Sequence, residues 1–320
     1  VSGGVEIAVV VAEIEQAARN VKRFRFAAKD GGSLPHFAAG SHVVVLMRDG
    51  ERTIRNAYSL IDRAEDGSSY RIGVLRTPNS RGGSKFMHER VSVGDELRIT
   101  MPVNLFPLFH PGRKHLLIAG GIGVTPIYAM ADELQRRGAL YEIHYAVRDE
   151  AHGAFIDEMR ARHGDRLKLY RRDLEEILAV DQILPGQPLG THLYVCGPEG
   201  MIEAVLEGGL EAGWPKEHLH AERFQTPPTG EPFALRLAKA GLTCEVRGDQ
   251  SMLEALEEAG FDPPSLCRGG ACGQCAVDVL EADGELIHND HYLSAAERAS
   301  GEKIMLCVSR LKGRELVLDL

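Results

Sequence analysis

Four cysteines carry the strongest chemical signal in this chain. Three stand in one short stretch, Ser265-Leu266-Cys267-Arg268-Gly269-Gly270-Ala271-Cys272-Gly273-Gln274-Cys275, and thirty-one residues separate Cys275 from Cys307. The spacing C-x4-C-x2-C with a distant fourth cysteine is a ligand set for a [2Fe–2S] cluster. Two bridged irons need four thiolates, and a tight loop can supply three of them. Gly269, Gly270 and Gly273 give that loop the positive φ angles or close backbone approach that wrapping requires. Its N–H groups can then face a negatively charged cluster. Zinc competes for the same residues, because Cys272-x2-Cys275 is followed after twelve residues by His288-x2-His291. The histidines of a zinc finger stand three to five residues apart, and zinc would leave Cys267 and Cys307 unused. Unligated core cysteines are the third reading. Cys196 and Cys244 fall outside the pattern, and Cys244 reads as a small hydrophobe on a strand.

The rest of the chain must position and supply such a centre. Its 320 residues predict two or three domains, and 44% hydrophobic content fills their cores. The most apolar run, 115–131, is interrupted by Gly120, Gly121, Gly123 and Pro126, so no membrane span is expected. The first residues carry neither a basic head nor an apolar signal core, and a cytoplasmic location is expected. In such a compartment, six cysteines favour a metal over disulfides. The net charge of −9 argues against nucleic acid. Residues 230–320 hold 9 Lys/Arg against 16 Asp/Glu, so the acid concentrates around the cysteine loop. A solvated face explains this, and so does a surface that steers a basic partner.

Residues 1–108 read as all-β. Short β-branched runs are separated by turns such as Asp30-Gly31-Gly32 and Asp49-Gly50, which predicts a small antiparallel barrel. Two features there could bind a phosphorylated flat ring. Arg55-Asn56-Ala57-Tyr58-Ser59-Leu60 places a guanidinium, a phenol and a hydroxyl along one strand. Asn79-Ser80-Arg81-Gly82-Gly83-Ser84 makes a glycine turn that opens a short helix. Each alone is an ordinary strand or turn; together they point to a flavin phosphate site.

Residues 109–226 alternate strand-like and helix-like stretches, the pattern of an α/β domain with a parallel sheet. Ala119-Gly120-Gly121-Ile122-Gly123-Val124-Thr125-Pro126 follows the first strand. Its glycines would let backbone approach a pyrophosphate, although the full G-x-G-x-x-G fingerprint is missing. Arg148-Asp149 ends the second strand. The acid suits the ribose hydroxyls of NADH and the arginine a 2′-phosphate, with NADH on Asp149 preferred over a plain surface pair. Cys196-Gly197-Pro198 ends the fourth strand, where a nicotinamide would sit, or where a strand merely turns into a helix. Phe224 is a candidate aromatic for packing on a ring. A Pro/Thr/Gly linker, 225–230, leads to residues 231–320, which predict a hairpin, a helix over 252–259, the cysteine loop and later strands.

Arg55-x-x-Tyr58-Ser59, Gly82-Gly83-Ser84, the Gly120–Pro126 stretch and Cys196-Gly197-Pro198 resemble the ferredoxin–NADP reductase superfamily. With a plant-type ferredoxin at the C-terminal end, the order resembles phthalate dioxygenase reductase and the vanillate demethylase reductases. The tails Ile304–Arg310 and Glu315–Leu320 resemble theirs as well. The resemblance implies three domains: an FMN-binding antiparallel β-barrel (1–108), an NADH-binding α/β domain with a parallel sheet (109–226) and an α+β β-grasp ferredoxin domain (231–320). It implies that Arg55, Gly82, Gly83 and Ser84, with nearby N–H groups including those of Asn56 and Ala57, hold the FMN phosphate, while Tyr58 and Ser59 line the flavin. Val74 and Leu75 would pass behind the ring. Thr125, Cys196 and Phe224 would shape the contact between nicotinamide and flavin. The short stretch 61–69 leaves no room for an adenosine-binding loop, in keeping with FMN over FAD. Cys267, Cys272, Cys275 and Cys307 would hold the cluster, and a Rieske-type terminal oxygenase would take its electrons. A cytochrome P450 is the alternative acceptor, and an iron–sulfur redox sensor the non-enzymatic alternative.

Overall fold

The structure is a computed structural model and describes residues 5–50, 52–64, 66–78, 80–225 and 227–320. Asn79 of the glycine turn, Thr226 of the linker and residues 1–4 lie outside the described residues. The chain divides into two compact units. One comprises residues 7–47 and 58–223; the other comprises 5–6, 48–57 and 224–320.

The first sheet contains β1 (Glu6–Ala18), β2 (Val21–Ala28), β3 (Ser41–Asp49), β4 (Arg52–Arg63), β5 (Ser69–Leu75), β6 (Glu96–Thr100) and β7 (Val103–Asn104). Its order is β4-β5-β2-β1-β6-β3-β7, and pairing of β3 with β4 closes six strands into an antiparallel barrel. Alternation explains the closure: Val9 and Val11, Phe24 and Phe26, Val43 and Val45, and Ile72 and Val74 turn inward at every second position and are buried. Strand β4 runs three residues beyond the expected Leu60, to Arg63, and a seven-residue helix, α1 (Gly83–Glu89), follows the glycine turn.

The second sheet is parallel: β8 (Lys114–Gly120), β9 (Tyr141–Val147), β10 (Leu167–Arg171), β11 (Thr191–Cys196) and β12 (Leu219–Glu222), in the order β10-β9-β8-β11-β12. The order reverses between β8 and β11. Loops at that point leave the sheet in opposite directions, and the carboxyl ends of the two strands frame a crevice. Helix α2 (Val124–Arg136) follows β8, while α3 (Ile156–His163) and a four-residue α4 (Val180–Ile183) precede β11, which α5 (Glu199–Glu211) follows. Leu116, Leu117, Ile118 and Ala119 of β8 are all fully buried, as a strand covered on both faces must be.

The last 90 residues contain β13 (Phe233–Leu237), β14 (Leu242–Val246), α6 (Met252–Glu258), β15 (Ala276–Ile287), α7 (Ala295–Ser300), β16 (Lys303–Met305) and β17 (Arg310–Leu318). The sheet order β14-β13-β17-β15-β16, with β13 parallel to β17 and antiparallel neighbours, is that of an α+β grasp. Both helices start at capping boxes, Ser251 with Glu254 and Ser294 with Glu297. Strand β15 runs on to Ile287, and Cys307 lies between β16 and β17. Arg310 is buried and donates to the carbonyls of Arg247, Gln250 and Glu231, tying three segments under the sheet.

Candidate redox site

The cysteine loop turns on residues at positive φ packed against its neighbours. Arg268, Gly270 and Gly273 all have positive φ, at 53°, 72° and 77°. A Cβ on Gly270 would come 2.7 Å from Val308 Cγ2, and one on Gly273 would strike the Tyr292 ring, so the glycines are required by space as well as by conformation. The turn aims the N–H groups of Gly269 and Ala271 at Cys267 Sγ, each at 3.4 Å. Cys267, Cys275 and Cys307 are buried and Cys272 is partly exposed. Hydrogen bonds from the Cys272 and Cys307 thiols, with those two N–H groups, hold the Cys267 thiol far below its ordinary range. Cys275 is also held down by Cys307. Among the described residues no three His, Cys, Asp or Glu side chains converge on a single-ion position. Cys267 contacts both Cys272 and Cys307, and Cys307 also contacts Cys275, so the four thiols gather at one place. The zinc reading loses its histidines: His291 Nε2 lies 2.8 Å from Gln225 Nε2, and His288 is beside Asp290 at 3.7 Å.

In the other unit, the switch point of the parallel sheet brings distant residues together. Gly120 ends β8, Gly121 has a φ of 53°, and Gly123 packs on β11 so closely that a Cβ would strike the Cys196 carbonyl. Pro198 Cδ would lie 2.6 Å from a Cβ on Gly120. Larger residues would therefore fill the crevice. Thr125 is buried in the first turn of α2, which also holds Pro126, and donates its hydroxyl to Ile122 O at 3.0 Å. Its methyl reaches β5, where a Cβ on Gly73, next to Val74 and Leu75, would come within 2.9 Å. Cys196 is fully buried, and burial pushes its thiol well up, so it stays neutral. Sheet register sets Cys196 beside Glu222.

Glu222 is the residue that sequence reasoning passed over. Ser59 Oγ donates to Glu222 Oε2 at 3.4 Å. The residue as a whole is partly exposed, yet burial around its carboxyl pushes the pKa up to about 8, with Ser59 pulling the other way. At neutral pH this carboxyl holds a proton. A strand-end acid one residue from an Arg, two from an aromatic, was the available signal.

The remaining candidates divide between the units. Tyr58 and Ser59 of β4 belong with the barrel and parallel sheet; Arg55, Asn56 and Ala57, from the same strand, belong with the grasp unit. There Arg55 Nη1 donates to Glu257 Oε2 at 3.2 Å. Gly82 has a φ of 114°, Gly83 starts α1, and Ser84 Oγ donates to Ser80 Oγ at 3.0 Å and lies 3.2 Å from Thr77 Oγ1. These hydroxyls form one donor cluster of the kind a phosphate accepts from. Asp149 is not paired with the exposed Arg148: it caps its own turn, accepting from His152 N at 3.0 Å with His152 Nδ1 at 2.8 Å. Phe224 is 48% exposed and Gly197 follows β11.

Known proteins share the fold and the ferredoxin domain. Residues 235–312 match the 2Fe-2S iron-sulfur cluster binding domain, and residues 104–219 match the N-terminal domain of dimethylamine monooxygenase subunit DmmA-like proteins. The chain is 44% identical to a carnitine monooxygenase reductase subunit of Acinetobacter baumannii, covering 97% of each protein. It is also 44% identical to the heme-dependent oxidative N-demethylase beta subunit of Ectopseudomonas mendocina, covering 98% of each. Phthalate dioxygenase reductase, a solved modular structure for electron transfer from pyridine nucleotides to [2Fe–2S], superposes with a TM-score of 0.87 at 32% identity over 99% of this chain and 98% of that one. Residues 235–312 therefore form a 2Fe-2S ferredoxin domain, and the chain belongs to the phthalate dioxygenase reductase family of oxygenase reductase components, oxidoreductases that use flavin, pyridine nucleotide and a plant-type cluster.

Proposed function

We propose that this chain takes electrons from NADH through FMN to its cluster and delivers them one at a time to a terminal oxygenase. The observation that carries the reading is the loop in which Cys267, Cys272, Cys275 and Cys307 gather with backbone N–H groups turned on Cys267. Residues 1–108 are assigned to FMN, 109–226 to NADH and 231–320 to the cluster. Bound flavin supplies the chemistry that divides a hydride into single electrons. The chain's own residues bind and orient. Gly120, Gly121 and Gly123 leave backbone open to a nucleotide, and Thr125 keeps its methyl against β5. Glu222 keeps a proton next to the Ser59 hydroxyl, and Cys196 stays uncharged beside it. Tyr58, Val74, Leu75 and Phe224 are assigned to the flavin, Arg55, Asn56, Ala57 and the Gly82-Gly83-Ser84 turn to its phosphate, and Arg148 and Asp149 to the adenosine half of NADH. Asp149 is already anionic, its carboxyl held below the usual range chiefly by His152.

Relatives matched over their whole length include reductase subunits of carnitine monooxygenase, which supports a separate terminal oxygenase as acceptor and favours a type other than P450. A Rieske-type oxygenase docking on the acidic 230–320 region is the acceptor we assign. A haem-dependent demethylase is the second, because one relative at 44% identity carries that name. Among the described residues no helix is long and apolar enough to cross a membrane, and a cytoplasmic location belongs to the same proposal. The test is cofactor content followed by stopped-flow reduction. One FMN, two irons and two sulfides per chain, with flavin and cluster absorbance bleaching on NADH, is the expected result. A colourless protein that contains zinc would overturn it.

A further inference from the structure

Glu257 of α6 is engaged by two arginines, and both are tied to cofactors. Its carboxylate is only 6% exposed. Arg268 grips it with both arms, Nη1 to Oε1 at 2.6 Å and Nη2 to Oε2 at 2.8 Å, and Arg55 Nη1 reaches the same Oε2 at 3.2 Å. Arg268 follows Cys267 and sits at a φ of 53°, a conformation a non-glycine residue keeps only when its surroundings hold it there. The fork to Glu257 does so, and it thereby fixes the loop whose Gly269 and Ala271 N–H groups face Cys267. Two guanidiniums share one carboxylate. Arg268 directly follows Cys267, and Arg55 is the arginine assigned to the flavin phosphate.

We propose that Glu257 is a positioning residue that couples the two cofactor sites by dividing its charge between Arg55 and Arg268. It moderates the hold of Arg55 on phosphate and the pull of Arg268 on the reduced cluster. The inference rests on the assignment of Arg55 to FMN made above. Glu257→Gln keeps the shape and removes the charge. Arg55 is then left to the phosphate, and FMN binds tighter by about fivefold or more, the lower end of ordinary coupling between sites. An uncompensated Arg268 favours the more negative, reduced cluster, so the cluster midpoint rises. A tenfold change in that one-electron equilibrium is about 59 mV. Packing damage would act with the opposite sign on FMN, loosening it.

The experiment begins with FMN, iron and sulfide content of the purified wild-type protein, then measures the FMN dissociation constant by fluorescence and the cluster midpoint by redox titration. Absence of FMN overturns the functional assignment and this inference with it. FMN present, with both values unchanged in Glu257→Gln, overturns the coupling alone. Weaker FMN binding in that variant also overturns it. Arg55→Gln supplies an independent arm should Glu257→Gln fail to assemble. It releases Glu257 wholly to Arg268, so the midpoint falls, whereas loss of a nearby phosphate by itself would raise it. A midpoint that rises or stays put in Arg55→Gln overturns the coupling.

Discussion

The cysteine loop and the switch-point crevice are built in opposite ways. Three of the four candidate cluster thiols fall within nine residues, and the loop turns at Arg268, Gly270 and Gly273, all at positive φ. The crevice draws Ser59, Gly123, Thr125, Cys196 and Glu222 from strands and turns spread over more than half the chain, and sheet register puts them in place. Chemistry fixed by a local loop is read by deleting a ligand. Chemistry fixed by register responds to packing and to the protonation of one buried group.

The largest effect separates the two regions completely. Cys272→Ser should abolish electron delivery to one-electron protein acceptors and remove cluster absorbance, while NADH-driven dye reduction by the flavin persists; this is measured with cytochrome c and a two-electron dye side by side. Loss of both activities would show that the two regions do not act separately.

Next comes Gly123→Ala. The added methyl meets the Cys196 carbonyl, backbone that cannot swing away. Overpacking of this kind costs about 1–3 kcal/mol, so the melting temperature should fall by several degrees and NADH–dye reduction should weaken, with iron and sulfide content unchanged. A variant that melts like wild type would mean that β8 and β11 have slack at the crevice.

Glu222→Gln gives a smaller effect with a definite sign. The carboxyl's pKa is about 8 in the folded chain against an ordinary 4.5, so between those values the folded state binds more protons than the unfolded state and stability falls as pH rises. Glutamine copies the protonated form. The variant should match wild type near pH 5 and melt higher at pH 9, and the pH dependence of NADH–dye reduction between 7 and 9 should flatten. An unaltered alkaline profile would remove Glu222 from the proton-holding role.

The smallest effect lies at the opposite end of the parallel sheet. His192 stacks on His218 with ring centroids 4.1 Å apart, and its Nδ1 lies 3.0 Å from His220 Nε2. Burial first, then His218, His220 and His115, push its pKa down to about 4. The unfolded chain binds the extra proton, so this site's stability is present above about pH 6.5 and is lost as pH falls towards 4. His192→Gln should blunt acid unfolding in that window, followed by circular dichroism, and leave the cluster's spectrum at pH 7 unchanged.

The cysteine spacing, the barrel's alternation and the strand–helix rhythm of the middle region are local patterns, and they were legible because ligand spacing and hydrophobic period act over a few residues. Boundaries drifted where pairing partners, not propensity, decide strand length. Strand β15 reaches Ile287 because β17 runs beside it, through two register shifts. Asp149 read as a ribose ligand or a partner of Arg148; the turn sets its carboxylate on His152 rather than on Arg148.

The sequence by itself determined the order of the modules, the spacing of the four cysteines and the glycines that let backbone come close, because each depends on residue type at short spacing. Only the tertiary structure decided that Glu222 lies beside Ser59 and Cys196 with its proton retained, and that Arg55 and Arg268 share Glu257. Burial and charge pairing are properties of neighbours, and these neighbours stand 11 to 202 residues apart along the chain.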